Sequence, residues 1–162
     1  VPFTRWRVAQ WRDPARGDVV TFVSPEDERL LVKRVIGLPG DLVELSANTL
    51  IVNGEHAEYQ PLDGAHPFTG YRLLSERIGA VAWPILLQQQ GGNRSASNLR
   101  PLRIPPGHYL LLGDNRDHSR DSRTIGFIAR DRIVGRATTV AFSLDYDNFY
   151  APRLDRFMAE LP

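Results

Sequence analysis

The stretch Leu30-Leu31-Val32-Lys33-Arg34-Val35-Ile36 decides how this chain of 162 residues is read. It is apolar and rich in β-branched side chains, a pattern that predicts a strand. Side chains alternate across a strand, which puts Leu31, Lys33 and Val35 on one face. Lys33 is therefore expected between two aliphatic neighbours. It is also the only lysine of the chain, since nineteen of the twenty basic residues are arginine. The difference is chemical: a guanidinium stays charged in proteins, whereas an amine in an apolar site can lose its proton and become a base. Bringing a lysine from about 10.4 to about 7 costs on the order of 4.6 kcal/mol, which burial can supply. The alternative is an accidental lysine in an arginine-rich chain.

Before it, Asp18 to Val23 predicts a second strand, and the polar connection Ser24 to Arg29 turns the chain back to form a hairpin with the first. Downstream, Gly37-Leu38-Pro39-Gly40-Asp41 is a tight turn leading into short strands at Leu42 to Leu45 and Thr49 to Val52. Asn53-Gly54 has the sequence of a type I′ hairpin turn. Residues 60 to 104 change in texture, with Pro61, Gly64, Pro67, Gly70 and Pro84 and a polar run from Gln88 to Asn98. They read as an inserted, small β-rich lobe within a discontinuous core of residues 1–59 and 105–162. Gly107 to Leu112 and Ile133 to Phe142 predict further strands. Pro152, Leu154, Phe157, Met158 and Leu161 predict a short C-terminal amphipathic helix. The expected class is mainly β, with antiparallel sheets.

Composition removes several function classes. The chain has no cysteine, which excludes a disulfide scaffold, a thiol nucleophile and cysteine-based metal sites. A net charge of +1 gives no field that would recruit nucleic acid. The longest strongly apolar runs, Val81 to Leu87 and Tyr109 to Leu112, fall far short of the roughly 20 residues of a transmembrane helix. The first residue is valine and no leader precedes it, so the chain is expected to be a piece of a longer or processed protein.

The densest polar cluster runs from Gly113 to Arg123, as Gly-Asp-Asn-Arg-Asp-His-Ser-Arg-Asp-Ser-Arg. Asn115, Asp117, Ser119 and Asp121 alternate as calcium ligands would, but such a loop needs Gly at its sixth position and Glu at its twelfth, where Arg120 and Gly126 stand. Three arginines would also repel a cation. Neither a metal nor a cofactor is expected. Arg16-Gly17-Asp18 opens a predicted strand, which sets aside an adhesion role.

Arg16 to Phe22, then Val32 to Asp41, then Gly113 to Arg123 with Gly126 closely resemble three conserved boxes of type I signal peptidases, in order and spacing. The resemblance spans roughly residues 16–45 and 105–143, with the insertion where Gram-negative members carry a second lobe. It implies a membrane-anchored serine endopeptidase with a Ser–Lys dyad, acting on the outer, periplasmic side of the bacterial cytoplasmic membrane. It also implies roles for residues: Lys33 as general base, Ser119 as the hydroxyl that orients Lys33, and Arg34, Asp114, Asp121 and Arg123 as supports.

One departure bears on activity. The family nucleophile lies in a Ser-Met-x-Pro segment upstream of the first box, whereas the only methionine here is Met158. The chain as given is therefore expected to lack the nucleophile and most oxyanion-hole donors, and to be inactive alone. Ser24 lies after the first strand with no methionine beside it and does not fit that motif. The implied substrates are signal peptides of exported preproteins with Ala-x-Ala sites, bound as an added strand along Leu30, Leu31 and Val32; packing into the core is the other reading of Leu31 and Val32. Phe3, Trp6 and Trp11 interleaved with Arg5, Arg7 and Arg12 suit a bilayer surface, or equally rings packed on the sheet. His56, His66 and His108 are scattered, and His118 sits where the family often has asparagine. Rival readings are a conjugation-type transfer or pilin peptidase of the same fold and a catalytically dead precursor-binding module. Self-cleaving repressors need an Ala-Gly site that this chain lacks. Oligomeric state is not legible in the sequence.

Overall fold

The computed structural model describes residues 12–63, 69–89, 98–140, 144–145, 151–152 and 159–160. Strands β1 (Val19–Val23) and β2 (Leu30–Gly37) form the expected antiparallel hairpin, with Val20 opposite Lys33 and Phe22 opposite Leu31. Its connection closes through Ser24 N to Arg29 O at 2.8 Å, with Glu28 at φ 56°. Next come β3 (Leu42–Ser46), β4 (Thr49–Val52) and β5 (Glu55–His56). Asn53 and Gly54, at φ 53° and 84°, make the tight turn their sequence predicts. The β3–β4 turn was not foreseen; it uses Ala47 and Asn48, both at positive φ.

The chain continues through β6 (Glu58–Pro61), β7 (Tyr71–Ile78), β8 (Val81–Gln88), β9 (Leu99–Arg103) and β10 (His108–Leu112). A one-turn helix α1 (Ser122–Ile125), β11 (Ile128–Ala129) and β12 (Ile133–Ala137) follow. One sheet has the order β11-β10-β2-β1-β12, a second β5-β4-β3-β9, a third β6-β7-β8. All ladders between these strands are antiparallel. The fold is mainly β.

Two apolar clusters flank the central strands. Val35, Tyr109 and Leu111 join Val20, Phe22, Ile128 and Ile133 on one side. Ile36, Leu110 and Leu112 join Val43, Leu50, Leu74, Trp83, Ile85 and Ile104 on the other. Burial on both faces explains why β10 reads as an unbroken apolar run. The β7–β8 hairpin contributes Leu74, Ile78, Trp83 and Ile85 to the same cluster as Leu110, and β9 pairs with β3. The β7–β8 hairpin thus shares its core with β3 and β4, because neither sheet alone can cover its apolar face.

The expected C-terminal helix is corrected at its described positions. Ala151–Pro152 pairs with Leu144–Asp145, and Ala159–Glu160 pairs with Thr139–Val140, both as antiparallel strand. An isolated helix of about ten residues is marginal in water, so strand pairing with a neighbouring segment prevails. Leu154, Phe157, Met158 and Leu161 lie outside the described residues, as do Phe3, Trp6, Trp11, His66 and Phe142.

Candidate active site

Lys33 is half-buried on β2, between Leu31 and Val35 and opposite Val20, the aliphatic setting its sequence neighbours imply. Pairing of β10 with β2 runs only from Arg34 to Gly37. Among the described residues, the edge of β2 at Leu30 to Lys33 is therefore uncovered on that side. Past β10 the chain turns at Gly113 and doubles back over this end of β2. The result is a cleft of about 170 Å³ lined by Val19, Val32, Lys33, Arg34, Gly113, Asp114, Asn115, His118 and Ser119.

The supports are ion pairs between the three sequence boxes. Arg34, with its side chain 2% exposed, donates Nε to Asp114 Oδ1 at 2.9 Å and Nη2 to Asp114 Oδ2 at 2.8 Å. Its Nη1 donates to Gly17 O at 2.8 Å. One guanidinium therefore joins the first box, the lysine strand and the polar loop, a planar recognition that a lysine could not provide. Arg16 Nη2 pairs with Asp41 at 3.0 Å, and Arg16 Nη1 donates to Ile36 O, closing the turn after β2.

Behind the cleft, Asp121 is fully buried. Its carboxylate accepts Gly113 N at 2.9 Å and Arg123 Nε and Nη2 at 2.8 and 2.7 Å, and it caps α1 through Arg123 N. Burial pushes this carboxyl up, but the Arg123 bonds and charge more than reverse that, so it titrates below the ordinary range. Ser119 packs directly on Gly113. Its Oγ is buried without a partner at hydrogen-bond geometry among the described residues. At longer range that hydroxyl still helps to hold Asp121 low.

Of the residues singled out from sequence, Lys33, Arg34, Asp114, Ser119 and Val32 meet at the cleft, while Asp121 and Arg123 brace it from behind. Leu30, 62% exposed, and Leu31, packed against the apolar cluster, do not line it. Ser24 is buried, its Oγ accepting Glu26 N, on the turn beyond β1. Among the described residues no cluster of three or more His, Cys, Asp or Glu could hold a metal ion.

Three features had no role assigned from the sequence. Gly113 is one. His118 is exposed on the cleft wall and receives the Tyr71 hydroxyl at Nδ1, 3.0 Å away, with either group as donor. The third is a buried pair, Glu76 and Arg116. Its signal was available: on β7, Leu74, Glu76 and Ile78 share the face turned to the core, so period 2 places a carboxylate among apolar residues.

One cleft of this antiparallel β fold thus holds a lysine, a serine and interlocked arginine–carboxylate pairs. The sequence model of the Signal peptidase, peptidase S26 family matches residues 3–142, and the chain belongs to that family. It is 36% identical over 157 residues to a signal peptidase I of Pseudomonas fluorescens, covering 88% of this chain and 54% of that protein. It is 37% identical over 123 residues to signal peptidase IB of Staphylococcus aureus, covering 76% of this chain and 58% of that protein. The chain thus spans little more than half the length of these relatives. The crystal structure of a signal peptidase I from Enterococcus faecalis superposes with a TM-score of 0.50 at 27% identity, over 80% of this chain and 100% of that one.

Proposed function

We propose that this chain is the catalytic region of a signal peptidase I, a serine endopeptidase that removes signal peptides from exported preproteins at the outer surface of the bacterial cytoplasmic membrane. The observation that carries the reading is the convergence of Lys33 and Ser119 on one cleft beside an uncovered strand edge. An extended Ala-x-Ala segment adds to that edge along Leu30 to Val32, with main-chain hydrogen bonds giving affinity and small pockets giving selectivity. Val32, exposed on the cleft rim, forms part of such a pocket.

In the reaction, a serine hydroxyl attacks the scissile carbonyl as Lys33 Nζ takes its proton. Lys33 then returns that proton to the leaving amine, and water completes the cycle by the same base. Ser119 holds the amine in line, and Arg34 with Asp114 holds Ser119's loop against β2. The attacking serine belongs to a Ser-Met-x-Pro segment, a string that does not occur in these 162 residues, so the chain by itself is inactive. Among the described residues no helix is long and apolar enough to cross a membrane.

The test is to join a Ser-Met-x-Pro segment ahead of residue 1 and assay cleavage of an Ala-x-Ala precursor. Activity that disappears in Lys33→Ala and in Lys33→Arg supports the reading. Cleavage by Lys33→Ala at the parent rate would reject it, and binding without cleavage would point to a precursor-binding module.

A further inference from the structure

Glu76 and Arg116 meet in the core with side chains 0% and 1% exposed. Glu76 Oε1 accepts Arg116 Nη1 and the Tyr59 hydroxyl, both at 2.7 Å. Its Oε2 accepts Trp83 Nε1 at 2.8 Å and Arg116 Nη2. Burial and the Glu76 carboxylate together raise the Tyr59 hydroxyl above its ordinary value, which keeps it a donor. The carboxylate is thus fully satisfied by three side chains from β6, β8 and the polar loop.

Stability alone does not account for such a pair, since well-packed apolar side chains of similar volume often do as well or better in its place. Its position suggests another role. Arg116 opens the 3-10 turn Arg116–His118, two residues after Asp114 and three before Ser119. The same loop is stitched to β8 by Leu86 N to Asp114 O at 2.8 Å and Gln88 N to Asp117 Oδ2 at 2.7 Å. Backbone bonds set distance, while a bidentate pair also sets rotation. One side of the loop is locked to β2 by Arg34 and Asp114, the other to the β7–β8 hairpin by Arg116 and Glu76.

We infer that Glu76 and Arg116 are positioning residues that set the rotation of the loop carrying Ser119 over Lys33. The inference rests on the dyad reading above. Neither residue lines the cleft, so they act through Ser119 and Asp114.

Isotope-labelled lysine gives a direct readout: Lys33 is the only lysine of these 162 residues, and its side-chain signal is identified as the one that Lys33→Ala removes. In the intact native gene product, Glu76→Gln is expected to lower kcat on a precursor peptide about 10- to 100-fold with KM changed less than about twofold, and to move the Lys33 signal. Where Glu76→Gln does not fold, the paired Glu76→Leu and Arg116→Met variant is used; it is expected to melt within a few degrees of the parent yet show the same kcat loss. A folded variant with parental kcat and an unmoved Lys33 signal overturns the inference. Failure of the paired variant to fold overturns it too, because the pair would then serve the fold itself. A Lys33→Ala control separates the two claims: parental activity there rejects the dyad, whereas an inactive control beside unaffected Glu76 variants rejects only the positioning role.

Discussion

A β-carbon added to Gly113 would lie 2.0 Å from Ser119 Oγ and 2.5 Å from Ser119 Cβ. The glycine that ends β10 is therefore the seat on which the cleft serine rests, and it is needed for close approach rather than for an unusual backbone angle. Gly113→Ala must push Ser119 out of the cleft. The expected cost is about 1 to 3 kcal/mol of stability, with activity of the intact protein reduced at least as far as in Ser119→Ala. Unchanged denaturation midpoints together with unchanged cleavage would contradict the contact.

Arg34 is buried and its Asp114 partner is 43% exposed, so the two sides of this pair are unequal. Asp114→Asn keeps one acceptor and leaves water access, and should cost about 1 to 2 kcal/mol. Arg34→Met leaves Gly17 O and Asp114 without their donor and removes the link between two boxes. Urea denaturation of both variants checks the order: the arginine variant is expected to retain the folded β signal but lose more cleavage activity than the aspartate variant.

The pH dependence of stability follows from Asp121, whose folded carboxyl titrates below its unfolded value of about 3.9. A depressed folded value means that the unfolded state binds the proton first as pH falls. The stabilisation is thus complete above the unfolded value and lost as pH drops through the folded one. Asp121→Asn should flatten the acid limb of the stability profile, from the unfolded carboxyl value downward, while lowering stability at neutral pH. An acid limb of the same slope in both proteins would show that other carboxylates govern it.

Tyr71 reaches His118 from β7 across the cleft wall. Both rings are accessible, so Tyr71→Phe should change stability by less than about 0.5 kcal/mol. If the contact fixes the ring as part of the substrate wall, KM for precursor peptides will change while kcat stays near the parental value. Equal KM values across a peptide series would remove His118 from the wall.

Much of this architecture is written locally. Short apolar runs rich in β-branched or aliphatic residues marked β1, β2 and β10, the Asn53-Gly54 pair marked its turn, and three short boxes marked the family. These signals act over a few residues, through side-chain alternation and allowed φ. The C-terminal segment shows the limit of that reasoning: its spacing suggested a helix, yet its described positions pair as antiparallel strand with Thr139–Val140 and Leu144–Asp145.

The strand frame, the lone amine at Lys33 and the arginines and carboxylates of the polar cluster are legible in the order of residues alone. Their pairings come from packing: Arg34 with Asp114, Ser119 with Gly113, and Glu76 with Arg116 across forty positions of chain. A charge on an apolar face is visible in the pattern, but its burial is tolerable only once a distant partner is delivered by packing. That delivery depends on the β7–β8 hairpin sharing a core with the central strands, which no short stretch of sequence encodes.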